Sequence, residues 1–271
     1  MKKLLLLFLI ACSSAFAWEQ QAPRPVQACA EFVPYGAPVV SKQDTTAICR
    51  VGYYTLHDNI AKIPVYGVYV LKPENALGCW PRTNAFTADA SLPKDKRATP
   101  DDYAGTGYDK GHNIPDGDLS YGEYVELESF LMSNMMPQIP NLNRGIWKNL
   151  ETNVRIWAWQ HGHPLQVIVG PVYQYGDPTI GKNQVLVPRA FYKVIIDTVT
   201  GEHYAFLFPH KDGLGADPAV VQTTVAEVEK YAGITINLPT GRAKTEKFAL
   251  KAADFAAALN AKKAKIGRAH V

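Results

Sequence analysis

The sequence predicts one α+β domain, with a mixed or antiparallel central sheet flanked by helices. Three observations carry that prediction. Runs rich in Val, Ile, Tyr and Phe, bounded by Gly, Pro and Asn, have the composition of strands at 47–54, 62–71, 166–173, 185–197 and 202–208. From Asn143 onward, Ile146, Leu150 and Val154 recur at fourfold spacing, the mark of a helix with one buried stripe. Neither an internal repeat nor a linker divides the 271 residues into two cores, and that length is ample to bury one.

The first residues, MKKLLLLFLIACSSAFA (1–17), combine a basic start, a short apolar run and small residues. That is the pattern of a signal peptide, too short for a retained membrane span. Ala15-Phe16-Ala17 fits cleavage that releases a chain beginning at Trp18, which is the preferred reading. Leu9-Ile10-Ala11-Cys12 resembles a lipobox, which would instead place a lipid anchor on Cys12 and make the protein an outer-membrane lipoprotein. Both place the folded part outside the cytoplasm, periplasmic or secreted. Without Lys2 and Lys3 the formal charge of +3 falls to about +1. Long-range attraction to nucleic acid is then weak, so any basic contacts must be concentrated in one cleft.

Residues 18–46 are rich in Pro, Ala and Gly and read as an N-terminal surface arm. Cys29, Cys49 and Cys79 are an odd set for an oxidising compartment. Of the three pairings they allow, Cys29–Cys49 is preferred because it would tie the arm to the first strand, leaving Cys79 free or buried. No spacing matches a zinc site. The first two strands flank a turn predicted at Leu56-His57-Asp58-Asn59. Pro73 to Tyr103 is a long polar connection with four prolines, of the kind that is usually functional or disordered. It carries Arg82. Glu126 to Met132 predicts a short helix. Thr224-Val225-Ala226-Glu227 is a capping box opening a helix that stops near Gly233, and the Ala- and Lys-rich stretch Thr245 to Lys263 predicts the last one. The domain is therefore placed at 47–263. The terminal hexapeptide Ile266 to Val271, IGRAHV, follows no structural pattern and reads as a translated sequencing adapter.

Two features carry chemistry. On a helix from Asn143, positions four apart share a face, so Asn143, Trp147, Glu151 and Arg155 form one stripe beside a buried stripe of Ile146, Leu150, Val154 and Trp157. Carboxamide and carboxylate oxygens suit a hard cation such as Mg²⁺, and a guanidinium suits bidentate contact with phosphate. Most such patterns are merely solvated helix faces. Asp109-Lys110-Gly111-His112 adds a histidine, the usual general base near neutral pH. Gly111 would let the backbone approach a bulky substrate. Alone, a loop histidine is more often structural, which is also the reading for His57, His161, His163, His203 and His210.

Taken together these segments are more specific. Asp109-Lys110-Gly111-His112, then Ser133-Asn134-Met135-Met136-Pro137-Gln138, then Asn143-Arg144-Gly145-Ile146-Trp147-Lys148-Asn149-Leu150-Glu151, resemble the signature of the DNA/RNA non-specific endonuclease family. The resemblance continues through Gly170-Pro171-Val172-Tyr173 and the stretch 187–193, and fades before Ala47 and after about Pro239. It implies the ββα-metal (His-Me finger) fold and a Mg²⁺-dependent hydrolysis of DNA and RNA phosphodiesters to 5′-phosphate products, with Mn²⁺ a substitute metal. It places His112 at the general-base position and Asn143 at that of the single protein ligand to the metal. Glu151 falls where an acidic residue holds a metal-bound water. Arg155 and Arg82 match phosphate-contacting arginines, and Asn134 and Gln138 match amides that support the metal helix. Asp109 is expected to orient the neighbouring backbone or His112. The family contains homodimers; the sequence leaves open whether this chain forms one.

The departures are few. Lys110 replaces the usual Arg and loses its bidentate fork. Met136 replaces a Ser or Thr, and Asn113-Ile114 differ from the usual residues after His. None removes a required group, so activity is expected over the alternative of a catalytically weakened nucleic-acid-binding protein. A nuclease toxin would share the chemistry, but no delivery module is recognisable. Nothing resembles a base-reading element, so cleavage should follow backbone shape.

Overall fold

The computed structural model describes residues 20–42 and 44–269; the signal sequence, Cys12, His270 and Val271 lie outside the described residues. Along the chain the strands used below are β1 (Thr45–Cys49), β2 (Tyr54–Asp58), β3 (Ile63–Leu71), β4 (Asp109–His112), β5 (Met135–Gln138), β6 (Leu165–Val172), β7 (Ala190–Asp197), β8 (His203–Pro209) and β9 (Gln222–Thr223). The helices used below are α1 (Glu123–Ser129), α2 (Lys148–His161), α3 (Val225–Ala232) and α4 (Phe255–Ala269). A seven-stranded sheet runs β9-β8-β7-β6-β3-β2-β1 with antiparallel neighbours throughout, while β4 and β5 form a separate antiparallel ribbon. This is the expected α+β arrangement. Among the described residues no helix is long and apolar enough to cross a membrane.

The period-2 alternation of β7 divides the core. Phe191 and Ile195 join the cluster under α2, with Trp147, Leu150, Val154 and Trp157, whereas Tyr192, Val194 and Ile196 join a second cluster on the other face, with Val225 and Val228 of α3. Trp147 is 1% exposed and meets Phe191 and Phe208 edge-on at 5.8 and 5.1 Å between centroids. Truncating such a core aromatic costs about 3–5 kcal/mol. Trp147 therefore does not belong to the polar stripe. The helix also does not run unbroken from Asn143: Gly145 has φ −104° and ψ −115°, which separates the turn bearing Asn143 from α2. Gly162, at φ 65°, ends α2 in a left-handed cap.

Several predicted boundaries shift for identifiable reasons. The stretch read as a surface arm packs against the sheet: Val26–Phe32 forms a 3₁₀ helix, Cys29 and Phe32 are buried, and Val39–Val40 pairs with Ile234–Thr235. The preferred Cys29–Cys49 disulfide is present, and Cys79 is free and half-buried. Leu56-His57-Asp58 is not a turn but the end of β2. Its polar side chains are inside, with Asp58 accepting from Tyr173 and Tyr175 hydroxyls at 2.6 and 2.8 Å and His57 Nε2 3.0 Å from the Lys96 carbonyl. The predicted 185–197 strand breaks at 187–189, where Pro188 has no N–H to give a ladder and its carbonyl instead receives His210 Nδ1 at 2.6 Å. The short helix α1 begins three residues earlier than its apolar pattern indicates, and Met132–Asn134 is 3₁₀. The capping threonine is confirmed, Thr224 Oγ1 accepting from Glu227 N at 3.3 Å. The last helix begins only at Phe255, and carbonyls of the irregular chain before it are taken by side chains: Phe248 and Lys251 accept from Gln222 Nε2 and Trp157 Nε1, both at 2.7 Å. It continues through 266–269, the start of the excluded hexapeptide.

Candidate active site

The β4–β5 ribbon, the break at Gly145 and the first turns of α2 meet in one cleft of about 510 Å³. Its walls include His112, Asn143, Glu151, Arg155, Arg82 and Lys110, so six residues chosen from the sequence converge. The ribbon register sets His112 opposite Met135 and Asp109 opposite Gln138.

His112 sits between aromatic walls, with Phe86 and Phe130 centroids at 5.7 and 4.9 Å. It is 8% exposed, and Nε2 is enclosed without a partner. Burial pushes its pKa down to about 4, against the pull of nearby Asp116. The ring is therefore neutral at physiological pH, the form that can take a proton. Asn134 locks the turn that follows: its Oδ1 accepts from Ile114 N at 3.0 Å, and its Nδ2 donates to the Ile114 and Ser129 carbonyls at 2.8 and 2.9 Å. Asn134 thus braces the histidine loop, not the metal helix. Gln138 is buried against Gly111 with neither amide atom hydrogen-bonded. An added Cβ at Gly111 would lie 1.9 Å from Gln138 Oε1, so Gly111 makes room for that side chain, correcting the idea that it admits substrate.

Asp109 performs a different task from the one expected. Its Oδ2 accepts from Asn143 Nδ2 at 2.9 Å, and its carboxylate is forked by Arg144 at 2.8 and 2.6 Å. Burial raises the Asp109 pKa, but these bonds outweigh it and hold the group below its ordinary value. With the amide nitrogen of Asn143 committed, its carbonyl oxygen is the atom left to meet a ligand. Further back, Ile139 N donates to His210 Nε2 at 2.9 Å, which pins the start of the Asn143 turn and gives that histidine a structural role.

On α2, Glu151 is 9% exposed, and its Oε1 has no hydrogen-bond partner. Burial pushes its pKa up to about 7, opposed by Lys193 and Arg155. Lys193, fully buried on β7, stands 3.8 Å from that oxygen and 4.5 Å from the Trp147 ring centroid. Arg155 donates to Asp118 Oδ1 at 2.7 Å and to Thr152 Oγ1 at 3.0 Å. Across the cleft Arg82 pairs with Asp116, donates from Nε to Asn84 at 2.8 Å and stacks 4.9 Å from the Phe130 centroid. The polar connection expected to matter is thus ordered, anchored where Thr83 N donates to Glu126 at 2.8 Å.

Among the described residues no three His, Cys, Asp or Glu side chains cluster as a metal cage. The donors present are the Asn143 carboxamide oxygen and the Glu151 carboxylate, hard oxygens lining the same cleft, with Glu151 Oε1 turned inward towards Lys193. They fit a cation that keeps most of its water, as Mg²⁺ does. Sequence reasoning missed Asp116, Asp118, Arg144 and Lys193. The first two were legible only as an acidic Asp-Gly-Asp run after His112. Arg144 and Lys193 lay inside quoted motifs without an assigned role.

A histidine-bearing ribbon that shares one cleft with a helix offering carboxylate and guanidinium, with an asparagine at its approach, is the arrangement of the ββα-metal fold. The sequence profile of DNA/RNA non-specific endonucleases matches residues 30–243, and the chain belongs to that family. A nuclease of Nostoc sp. (strain PCC 7120 / SAG 25.82 / UTEX 2576) is 40% identical over 169 residues, 58% of this chain and 61% of the relative. The mitochondrial endonuclease G of Bos taurus is 30% identical over 184 residues, 63% of this chain and 59% of its own. Nuclease 1 of Schizosaccharomyces pombe mitochondria is 30% identical over 243 residues, covering 79% and 72%. The chain thus spans about three fifths of the length of the Nostoc and bovine relatives. A crystal structure of an EndoG/EndoGI complex shares the fold at TM-score 0.69 and 24% identity, over 80% of this chain and 93% of that one.

Proposed function

We propose that the chain is a periplasmic or secreted, Mg²⁺-dependent endonuclease that hydrolyses DNA and RNA phosphodiester bonds without reading base sequence, leaving 5′ phosphates. The observation that carries this reading is the convergence of a neutral, aromatic-walled His112 with Asn143, Glu151 and two arginines in one cleft. With Nε2 enclosed, Nδ1 of His112 is the nitrogen left to take a proton from water as it attacks phosphorus. Arg155, backed by Asp118, and Arg82, held by Asp116, supply positive charge for the phosphoryl oxygens. The Asn143 carbonyl and the Glu151 carboxylate, the latter through water, would hold the metal. When bound, it supplies Lewis-acid stabilisation of the phosphoryl and leaving oxygens. Lys110 contributes charge without a fork. The basic, apolar pattern of the first 17 residues supports export, and the Cys29–Cys49 disulfide suits an oxidising compartment.

The test is digestion of supercoiled plasmid and of RNA by the purified chain, with Mg²⁺ and then with excess chelator. Cleavage of both that stops with chelator supports the reading; binding without cleavage in Mg²⁺ or Mn²⁺ would overturn it in favour of a binding protein.

A further inference from the structure

Beside the cleft lies a second pocket of about 340 Å³, lined by Phe86, Tyr108 and Asp109 together with Arg82, Lys110, Asn143 and Arg144. The last four also line the first cleft, so the two form one trough. The reaction as derived above draws on Arg82 and Lys110, which line both, but leaves Tyr108 and the free end of Arg144 unused. We infer that the second pocket is a nucleotide subsite, which binds the phosphate neighbouring the scissile one and stacks that nucleotide's base on Tyr108. This rests on the proposed phosphodiester chemistry and extends it to the length of substrate the site recognises.

Three features argue for it. Arg144 is spent on Asp109 only through Nε and Nη2, and its side chain is 70% exposed. The fork fixes the guanidinium and leaves Nη1 as a pre-oriented donor. Lys110 Nζ lies 5.0 Å from the Phe86 ring centroid, a cation positioned on the trough wall with no carboxylate ion-paired to it among the described residues. These two charges can meet a phosphate separate from the one held by Arg155 and Arg82. Tyr108 then supplies an aromatic surface on the same wall, half-buried and braced by His210 at 5.7 Å between centroids. Phe86 and Tyr108 both pack on the apolar cluster beneath the trough, but Phe86 is also faced by Lys110, His112 and Phe130, whereas the ring contact of Tyr108 is to His210, so Tyr108 is the ring assigned to the base. Charge beside an aromatic surface is the combination that binds single-stranded nucleic acid without sequence preference. Nothing in the pocket reads a base edge in a fixed pattern, so all four bases should be accepted.

The experiment uses the full chain with Mg²⁺ and two kinds of substrate. Bis(4-nitrophenyl) phosphate has no flanking nucleotide, and thymidine oligomers of increasing length acquire one neighbouring phosphate and base at a time. For the wild type, kcat/KM should rise by about tenfold at the length that fills the subsite, the lower part of the range for one base–aromatic stack. Tyr108→Leu should remove that step, lowering the oligomer-to-diester ratio, while Tyr108→Phe keeps the ring and should retain it. A smooth length dependence in the wild type, an unchanged ratio in Tyr108→Leu, or equal loss in both variants would overturn the subsite. Failure of the wild type to cleave these substrates and plasmid DNA alike would instead overturn the nuclease reading itself.

Discussion

The two faces of the seven-stranded sheet hold different kinds of core. On the face covered by the N-terminal segment and α3, Phe32, Tyr66, Val68, Ile168, Tyr192 and Val194 pack as an apolar cluster, locked by Cys29–Cys49. On the face under α2, the same strand β7 that contributes Phe191 and Ile195 also buries Lys193, whose ammonium and its neighbour Glu151 Oε1 both lack hydrogen bonds. Buried charge without full hydrogen bonding costs several kcal/mol. One face therefore carries stability, and the other gives some of it up to keep a carboxylate poised beside the cleft. Substitutions on the two faces should separate activity from stability.

The largest separation is expected at His112. His112→Ala should lower the rate of plasmid nicking about 10²- to 10⁴-fold, the usual contribution of a positioned general base. Affinity for DNA in a gel shift should stay nearly intact, because no phosphate contact is removed; full nicking by the variant would end the assignment. The opposite behaviour is expected across the sheet. Cys29→Ser combined with Cys49→Ser opens a link with a sequence separation of 20 and should reduce unfolding free energy by about 3 kcal/mol in denaturant titration. Its specific activity below the unfolding transition should match the wild type, and a parallel loss of activity would show that the faces are not independent. Smaller again is Asp109→Ala. By freeing the Asn143 amide it should cost about 10- to 100-fold in activity and raise the Mg²⁺ concentration for half-maximal rate, as loss of a supporting hydrogen bond does. A loss of rate with no change in Mg²⁺ requirement would return Asp109 to a purely structural role.

The apolar half of this division was legible in the sequence, and much of the polar half was not. Strand composition found the segments at 62–71, 166–173 and 202–208, and fourfold spacing found Ile146, Leu150, Val154 and Trp157, because burial imposes periodicity. Motif order located His112, Lys110, Asn143 and Glu151, helical spacing added Arg155, and the resemblance offered Arg82 from the long connection; all six reach one cleft. Hidden were the tertiary partners. Asp58 resembled a turn residue because its tyrosine partners lie 115 and 117 positions away. Trp147 looked like part of a polar stripe because helical spacing cannot register the break at Gly145. Asp109 holding Asn143 and Asn134 holding Ile114 are contacts 34 and 20 residues apart, with no periodic trace.

The finest test of the contrast is pH, because it acts on the poised face alone. Burial pushes Glu151 up to about 7, whereas His112, pushed down to about 4, stays neutral well below that. If the Glu151 carboxylate is the working form, it is protonated as pH falls through its folded-state value. The rate should then decline from about pH 8 to 6, with His112 contributing nothing in that window. A cation near Glu151 favours its ionised form, so raising Mg²⁺ should move the midpoint to lower pH. Glu151→Gln should be slower at every pH and lose that limb. Stability carries the opposite sign: a carboxyl whose folded pKa is raised favours the folded state when protonated, and that contribution is lost as pH rises through the folded value. The same titration that turns the site on should therefore soften the fold slightly, so activity and melting temperature should move in opposite directions between about pH 6 and 8. If they rise together, or if the limb persists in Glu151→Gln, the poised carboxylate is not what distinguishes this face of the sheet.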